Sequence, residues 1–203
     1  MVVYVKMQLV KLMDITIKKL SVDLIDDYIN FFDNTPYDTG ENKCYCVCWC
    51  SADHFTLTDT LTTDYRRSLA KEYICAGTLQ GYLAYDGAKV IGWCNANERN
   101  NCTKCTSWLK YMQEVETSLD ERVISVFCFV ISPEYRRMGV ATALLKYVIS
   151  DAKVAGFNYV EAYPRLDTKS YSNFQGYSLM YEKVGFEKMY NTSDKTVMRK
   201  QLF

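Results

Sequence analysis

The chain is poor in histidine, proline and glycine, and it carries no net charge. Of its 203 residues one is histidine, three are proline and nine are glycine. So few chain-breaking residues leave little room for a long disordered linker. His54 gives imidazole chemistry a single group to draw on, and its place just after a cysteine run fits a surface or capping residue better than a base. Lys+Arg and Asp+Glu stand at 24 each, so the formal net charge is zero. Binding to a phosphate backbone depends on clustered positive charge, so nucleic acid is not an expected partner. Long apolar runs are missing too. No stretch approaches the ~20 apolar residues of a membrane span. The apolar N-terminus "MVVYVKMQLVKLMD" is broken by Lys6 and Lys11 and lacks the core and cleavage site of a signal peptide. These absences predict a cytoplasmic protein with no membrane partner.

What remains is ordinary globular composition, 49% apolar and 24% charged, at a length that suits one domain, with or without an insertion. Cysteine is the exception. There are nine, an odd number, and without an export signal they should be free thiols. Cys44, Cys46, Cys48 and Cys50 alternate through "CYCVCWC". On a strand they would share one face, with about 7 Å between neighbours. One zinc ion needs its ligands within ~2.3 Å of the metal, which one straight strand cannot provide. Two ligands would have to come from elsewhere, and Cys102 and Cys105 of "CTKC" are the candidate pair. The plainer expectation is no metal, with the cysteines packed as small hydrophobes on a buried strand face. Tyr45, Val47 and Trp49 would then form the other face and border an acceptor pocket.

Periodicity outlines the rest. Residues 14–18 alternate as a half-buried strand does. Ser21 is placed to cap a helix through Phe32 with Ile25, Tyr28, Ile29 and Phe32 on one face. Leu61, Tyr65, Leu69 and Tyr73 recur every four residues and predict a helix over 61–75. Tyr82–Tyr85 and Val90–Ala96 read as strands joined through "DGAK", whose Asp-Gly pair is a strong hairpin signal. A loop is expected over 100–105, and 108–119 is ambiguous. "RVISVFCFVI", 122–131, suits a central strand buried on both faces. A helix follows from about Met138 to Ala155, with Gly156 at its left-handed C-cap; then come the strand "FNYVEAYP", a helix over 172–184 ending at Gly185, and two short strands. This order implies an α/β (α+β) fold with a mixed sheet and helices on both faces.

One stretch carries chemistry. In "ISPEYRRMGVATALL", 131–145, a buried strand ends, a short turn follows, and a helix begins at a glycine. Helix N-termini offer unpaired N–H groups and partial positive charge, where a phosphate or pyrophosphate fits. Gly139 admits a ligand close to the backbone, Ala141 is nearly as small, and Arg137 adds charge. Neither the dinucleotide nor the nucleotide-triphosphate glycine pattern is present.

The pattern Arg136-x-x-Gly139-x-Ala141 resembles the coenzyme A pyrophosphate loop of the GNAT superfamily, the Gcn5-related N-acetyltransferases. "LMYEKVGFEKM", 179–189, is similar to that family's later helix-to-strand motif, with Met180 in place of its leading leucine. The segments "CYCVCW", "GYLAYDG", "VIGWCNA" and "VEAYP" look like a bacterial-type subgroup of it. The resemblance is strong over 122–190, fair over 14–32 and 82–98, and weak over 40–80. It implies a mostly antiparallel central sheet in one domain, 1–203, with an insertion at about 40–80. It also implies that acetyl-CoA is the co-substrate and that the acetyl group passes by direct attack to a primary amine of a small molecule or a protein. A homodimer is also admitted. Backbone groups of Phe129, Val130 and Ile131 would bind the pantetheine arm, and Arg136, Arg137, Met138, Gly139, Val140, Ala141 and Thr142 would hold the pyrophosphate. Phe174 stands where many members have an asparagine, so a side-chain contact to the cofactor from this helix is not expected.

Acetyl transfer needs a neutral amine, a stabilised oxyanion and a leaving thiolate that is protonated or tolerated. By the resemblance Tyr181 is the proton donor to the departing sulfur; by packing alone its ring would fill the helix's core face. Glu161 falls where some members place a base, and would act as base or as an anchor for the amine. A non-catalytic acyl-CoA-binding module is the alternative from another class.

Overall fold

The computed structural model describes residues 14–36, 43–52, 62–118, 120–167 and 174–203. His54, Leu61, Asn173 and the N-terminal apolar stretch lie outside them. The strands are β1 (Ile15–Lys19), β2 (Gly81–Asp86), β3 (Lys89–Glu98), β4 (Val123–Ile131), β5 (Tyr159–Ala162), β6 (Glu187–Asn191) and β7 (Thr196–Gln201). The described residues form one sheet ordered β1-β2-β3-β4-β5-β7-β6. Only β4 and β5 run parallel; the other neighbours pair antiparallel. The helices are α1 (Ile25–Asn34), α2 (Thr63–Cys75), α3 (Arg99–Cys102), α4 (Thr106–Tyr111), α5 (Val140–Val154) and α6 (Ser178–Glu182).

Helices cover both sides of the sheet, as the element order predicts. On one side α5 buries Val140, Leu144, Leu145, Val148 and Ala152 against Tyr82, Ala84, Ile124, Val126 and Phe129. The 3.6-residue period predicts Ala141, Leu144, Leu145, Val148 and Ala152 on this stripe; the structure buries Val140 as well and leaves Ala141 half-buried, and each fully buried leucine contributes about 1.5–3 kcal/mol relative to exposure. On the other side α1 and α2 pack on Leu83, Tyr85, Trp93, Cys128 and Val130. A third cluster joins Trp108 of α4 to Phe127, Tyr163 and Val197.

The faces of β4 do not follow simple alternation. Ile124 and Val126 face α5, and so does Phe129, three residues on. The cause is a bulge. Asn95 pairs with Cys128 and Ala96 with Val126, which leaves Phe127 as an extra residue on β4. One inserted residue inverts the phase of everything after it. The β4–β5 pairing reaches Val126–Ala162 and stops there. The two parallel strands therefore part at the bulge.

Several expectations are corrected. Residues 44–50 are not a strand. Tyr45 and Cys46 take φ of 44° and 50°, and a 3-10 turn, Val47–Trp49, follows. Two left-handed residues in succession end any extended path. Burial dictates the turn: Tyr45, Cys46 and Val47 enter the second core cluster, Tyr45 stacks on Phe32 at 5.4 Å, and the Tyr28 hydroxyl donates to the Tyr45 carbonyl at 2.8 Å. The Tyr45 hydroxyl donates to Asp33 at 2.5 Å, and Lys43 donates to carbonyls at the end of α1. Ser21 makes no side-chain cap; a 3-10 turn, Val22–Leu24, leads into α1. Thr62 caps α2 by accepting from the Tyr65 N–H, and the buried face of α2 is Arg66, Leu69, Ala70 and Ile74, with Tyr65 exposed. Residues 99–102 are a short helix instead of loop. In the final helix, α6 begins only at Ser178; residues 174–177 are a turn and an extended segment.

Local glycine chemistry holds where the pattern places it. Gly156 ends α5 at φ 74°. Gly185 ends α6 at φ 84°, and the Phe186 N–H donates to the Tyr181 carbonyl at 3.1 Å, closing the helix end.

Candidate acetyl-CoA and transfer site

β4 delivers its last residue, Ile131, to Ser132 and a 3-10 turn, Pro133–Tyr135. The β2–β3 hairpin pins this turn: Lys89 meets Glu134 at 2.7 Å, and the Tyr135 hydroxyl donates to Asp86 at 3.1 Å. Arg136 is exposed, and its Nε donates back to the Ile131 carbonyl at 3.3 Å. Arg137 then takes φ 63° and Gly139 φ 89° before α5 begins at Val140. The first-turn N–H groups of α5, those of Val140, Ala141 and Thr142, have no intrahelical acceptor by helix geometry. Arg137, Met138 and Gly139 are exposed, and Ala141 and Thr142 half-buried. A Cβ on Gly139 would meet nothing within 4 Å, so the space over the loop is open. The seven sequence-predicted loop residues are thus brought together around one helix start.

Gly92 sets how close that helix start lies to the sheet. A Cβ there would come within 2.9 Å of Ile131 Cδ1 and 3.0 Å of Val140 Cγ1. A side chain at this position of β3 would force the Ile131 and Val140 side chains to give way at the junction of β4 and α5.

Past the bulge, β4 has lost β5 as a partner, and its N–H groups on that side are available to other acceptors. The Phe129 N–H donates to the Phe174 carbonyl at 2.6 Å. Tyr181 of α6 lies beside this point. It is fully buried, it packs edge-on to Phe186 at 5.2 Å, and its hydroxyl donates to the Gln175 carbonyl at 2.7 Å. Burial pushes its phenol well above the ordinary tyrosine value, and nearby Cys94 and Cys128 push the same way. It is a hydrogen-bond donor that does not readily ionise.

Glu161 is placed differently from a free base. It sits on β5 with no solvent exposure and is the register partner of Arg199 on β7. Its Oε2 lies 2.7 Å from Arg199 Nη2 and 3.5 Å from Arg99 Nη1, and Oε1 accepts from the Tyr163 hydroxyl at 2.7 Å. The Tyr163 hydroxyl in turn meets Ser125 Oγ at 2.6 Å. Both carboxylate oxygens are engaged within a sealed network. The signal in the sequence was thin: "NERNN" and "MRK" give no hint that their arginines converge on "VEA".

The residues just after the cysteine run and just after "CTKC" meet, since the Thr106 N–H donates to the Ser51 carbonyl at 2.9 Å. Among the described residues, however, no group of three or more His, Cys, Asp or Glu side chains is arranged to hold a metal ion. Cys46 and Cys128 touch at 3.2 Å between sulfurs. Trp49, half-buried, stacks on Phe127 at 4.4 Å and packs against the third cluster. No described helix is long and apolar enough to cross a membrane.

Sequence reasoning missed the Phe127 bulge and the Phe174 contact. An unbroken apolar run carries no mark of a bulge, and nothing local to Phe174 points to Phe129.

Comparison with known proteins agrees with this fold. The profile of the acetyltransferase (GNAT) family matches residues 41–186. Among solved structures, the chain is similar to an acetyltransferase of the GNAT family from Streptococcus pneumoniae, with 15% identity, 94% of this chain and 100% of that one covered, and a TM-score of 0.55. It is similar to the polyamine N-acetyltransferase of Drosophila melanogaster at 13% identity, 92% and 98% coverage and a TM-score of 0.54. It is also similar to the PaiA N-acetyltransferase of Thermoplasma acidophilum, solved in complex with coenzyme A, at 16% identity, 93% and 99% coverage and a TM-score of 0.50. At these identities the likeness is one of fold. No curated protein matches the chain by sequence.

Proposed function

Since the chain belongs to the acetyltransferase (GNAT) family, we propose that it transfers the acetyl group of acetyl-CoA to a primary amine by direct attack. The observation that carries this reading is the parting of β4 and β5 at the Phe127 bulge, with the glycine-led start of α5 at the end of the same strand. The residues fit the co-substrate. The Gly139 loop has open space, and the first turn of α5 has N–H groups without intrahelical acceptors, for a pyrophosphate; the Phe129 N–H already holds a carbonyl oxygen, as it would hold one of the cofactor. Bound acetyl-CoA brings the thioester.

In the transfer, the neutral amine nitrogen attacks the thioester carbon; a C–N bond forms, the C–S bond breaks and coenzyme A leaves. The chain's residues divide the work. The loop from Arg136 to Thr142 holds the pyrophosphate. Phe129, Val130 and Ile131 align the arm through their backbone, and the Phe129 N–H stabilises the oxyanion. Tyr181, its phenol kept protonated by burial until the step, gives its proton to the departing sulfur and regains one from the water that received the amine's proton. Glu161 holds β5 to β7 through Arg199 and does not act as base, so the proton of the attacking amine leaves to water. The chain is taken as one acetyltransferase domain, with about 40–80 as an insertion whose Tyr45–Val47 turn braces the underside of β4.

The test is calorimetry of the purified protein with acetyl-CoA, followed by incubation with a panel of polyamines, amino-sugar amines and peptide N-termini. Products are read by mass spectrometry, because nine cysteines would react with a thiol dye. Binding together with acetylated product supports the reading. Absence of acetyl-CoA binding would falsify it.

A further inference from the structure

Two groups that the transfer needs are both in use by one short segment of the same chain. The Phe129 N–H donates to the Phe174 carbonyl at 2.6 Å, and the Tyr181 hydroxyl donates to the Gln175 carbonyl at 2.7 Å. These are consecutive carbonyls. Phe174 therefore takes up a β4 donor beyond the point where β5 has left, and its carbonyl meets the Phe129 N–H as a ligand's amide oxygen would. The segment is anchored from below, since the Phe174 ring packs on the cluster that contains Cys128 and Val130. It is turned by Gly176 at φ 77°, where a Cβ would come within 2.7 Å of Met180 Cε and 3.4 Å of the Tyr181 hydroxyl. A tight, glycine-dependent turn over α6 with an apolar anchor is a compact clip.

The geometry points to an autoinhibitory clip: residues Phe174–Tyr177 occupy the pantetheine track on β4, and coenzyme A binds by displacing them. This rests on the transfer-site reading above and adds a step to it. Displacement frees the Phe129 N–H for the thioester carbonyl and the Tyr181 O–H for the sulfur together, so the oxyanion donor and the proton donor become available only when the cofactor arrives. No bond is made or broken in the chain; one set of hydrogen bonds replaces another. Such a clip lowers the apparent affinity for coenzyme A by the fraction of molecules in which it is open. Its anchor is the Phe174 ring, in the position where the family resemblance leads one to look for a cofactor-binding amide.

The experiment compares coenzyme A binding by calorimetry in the wild type, Phe174→Ala and the milder Phe174→Leu, with folding checked by circular dichroism. Amide hydrogen exchange at Phe129 is followed by NMR in the wild type. The clip predicts that Phe174→Ala binds coenzyme A at least about tenfold more tightly, because the competing closed state is depopulated, with Phe174→Leu in between. It also predicts a protected Phe129 amide before any ligand is added. Equal or weaker affinity in the folded variants overturns the clip while leaving the cofactor site intact. An unprotected Phe129 amide in the free wild type overturns it even if the variants fail to fold. Silence from all three proteins removes the cofactor site, and the clip with it.

Discussion

Glu161 and Arg199 face each other across the β5–β7 register, with Oε2 and Nη2 2.7 Å apart and the carboxylate fully buried. A position that resembles a catalytic base is thus the hub of an ion-pair network that also draws in Arg99. Removing one charge from such a network strands the others out of water.

Glu161→Gln is accordingly expected to act on stability first. The loss should be about 3–5 kcal/mol, the cost of breaking a buried pair from one side. Urea denaturation with two probes measures it. A variant of wild-type stability that has lost turnover alone would restore Glu161 to the catalytic list.

Gly139 separates charge from shape in the pyrophosphate loop. Gly139→Glu should abolish acetyl-CoA binding, since its carboxylate enters the open space proposed for the diphosphate. Gly139→Ala has room for its Cβ but not the preferred φ, so it should bind more weakly and still bind. Calorimetry distinguishes the two, and unchanged affinity in a folded Gly139→Glu protein would end the loop assignment.

Tyr181→Phe removes one hydroxyl and keeps the ring. Single-turnover acetyl transfer should fall about 10²-fold or more, the usual contribution of a general acid. Acetyl-CoA affinity should be no weaker, because the Gln175 carbonyl loses its hydroxyl partner at the same time. Single-turnover kinetics are required so that product release does not mask the chemical step. A wild-type rate would leave Tyr181 as packing.

The pH dependence of kcat/KM has a definite sign. The rate should rise with pH as the acceptor ammonium becomes neutral. Tyr181 must be protonated to donate, and activity would be lost only as pH rises through its pKa. Burial, helped by Cys94 and Cys128, moves that pKa well up. No descending limb should appear by the ordinary tyrosine value of ~10. A fall in rate centred below that pH would contradict the buried, protonated phenol.

Gly92→Val should weaken two things through one clash. Its methyl groups meet Ile131 and Val140 at the junction of β4 and α5. Overpacking of this kind typically costs about 1–3 kcal/mol, and displacing the start of α5 should also lower acetyl-CoA affinity. Loss of stability with unchanged affinity would show that the helix start tolerates the shift.

The features the sequence determined by itself are those with local causes. The apolar run of β4, the 3.6-residue stripe of α5, the two-residue hairpin turn before Lys89 and the glycine ends at Gly156 and Gly185 all follow from side-chain period or from backbone angles that few residues other than glycine adopt. So does the placement of Arg137, Gly139 and Ala141 at one helix start. The tertiary structure decided what depends on partners far along the chain. Alternating cysteines suggested a strand, but Phe32 and Tyr28 of α1 draw Tyr45 into the core and bend the run into a turn. Glu161 takes its role from Arg99 and Arg199, and the Phe127 bulge from its register with Asn95 and Ala96 on β3. Phe174 meets Phe129 only because β5 leaves β4 after Val126. Each of these is a competition among contacts distant in sequence, and a period of two or of 3.6 residues holds no information about which distant partner wins.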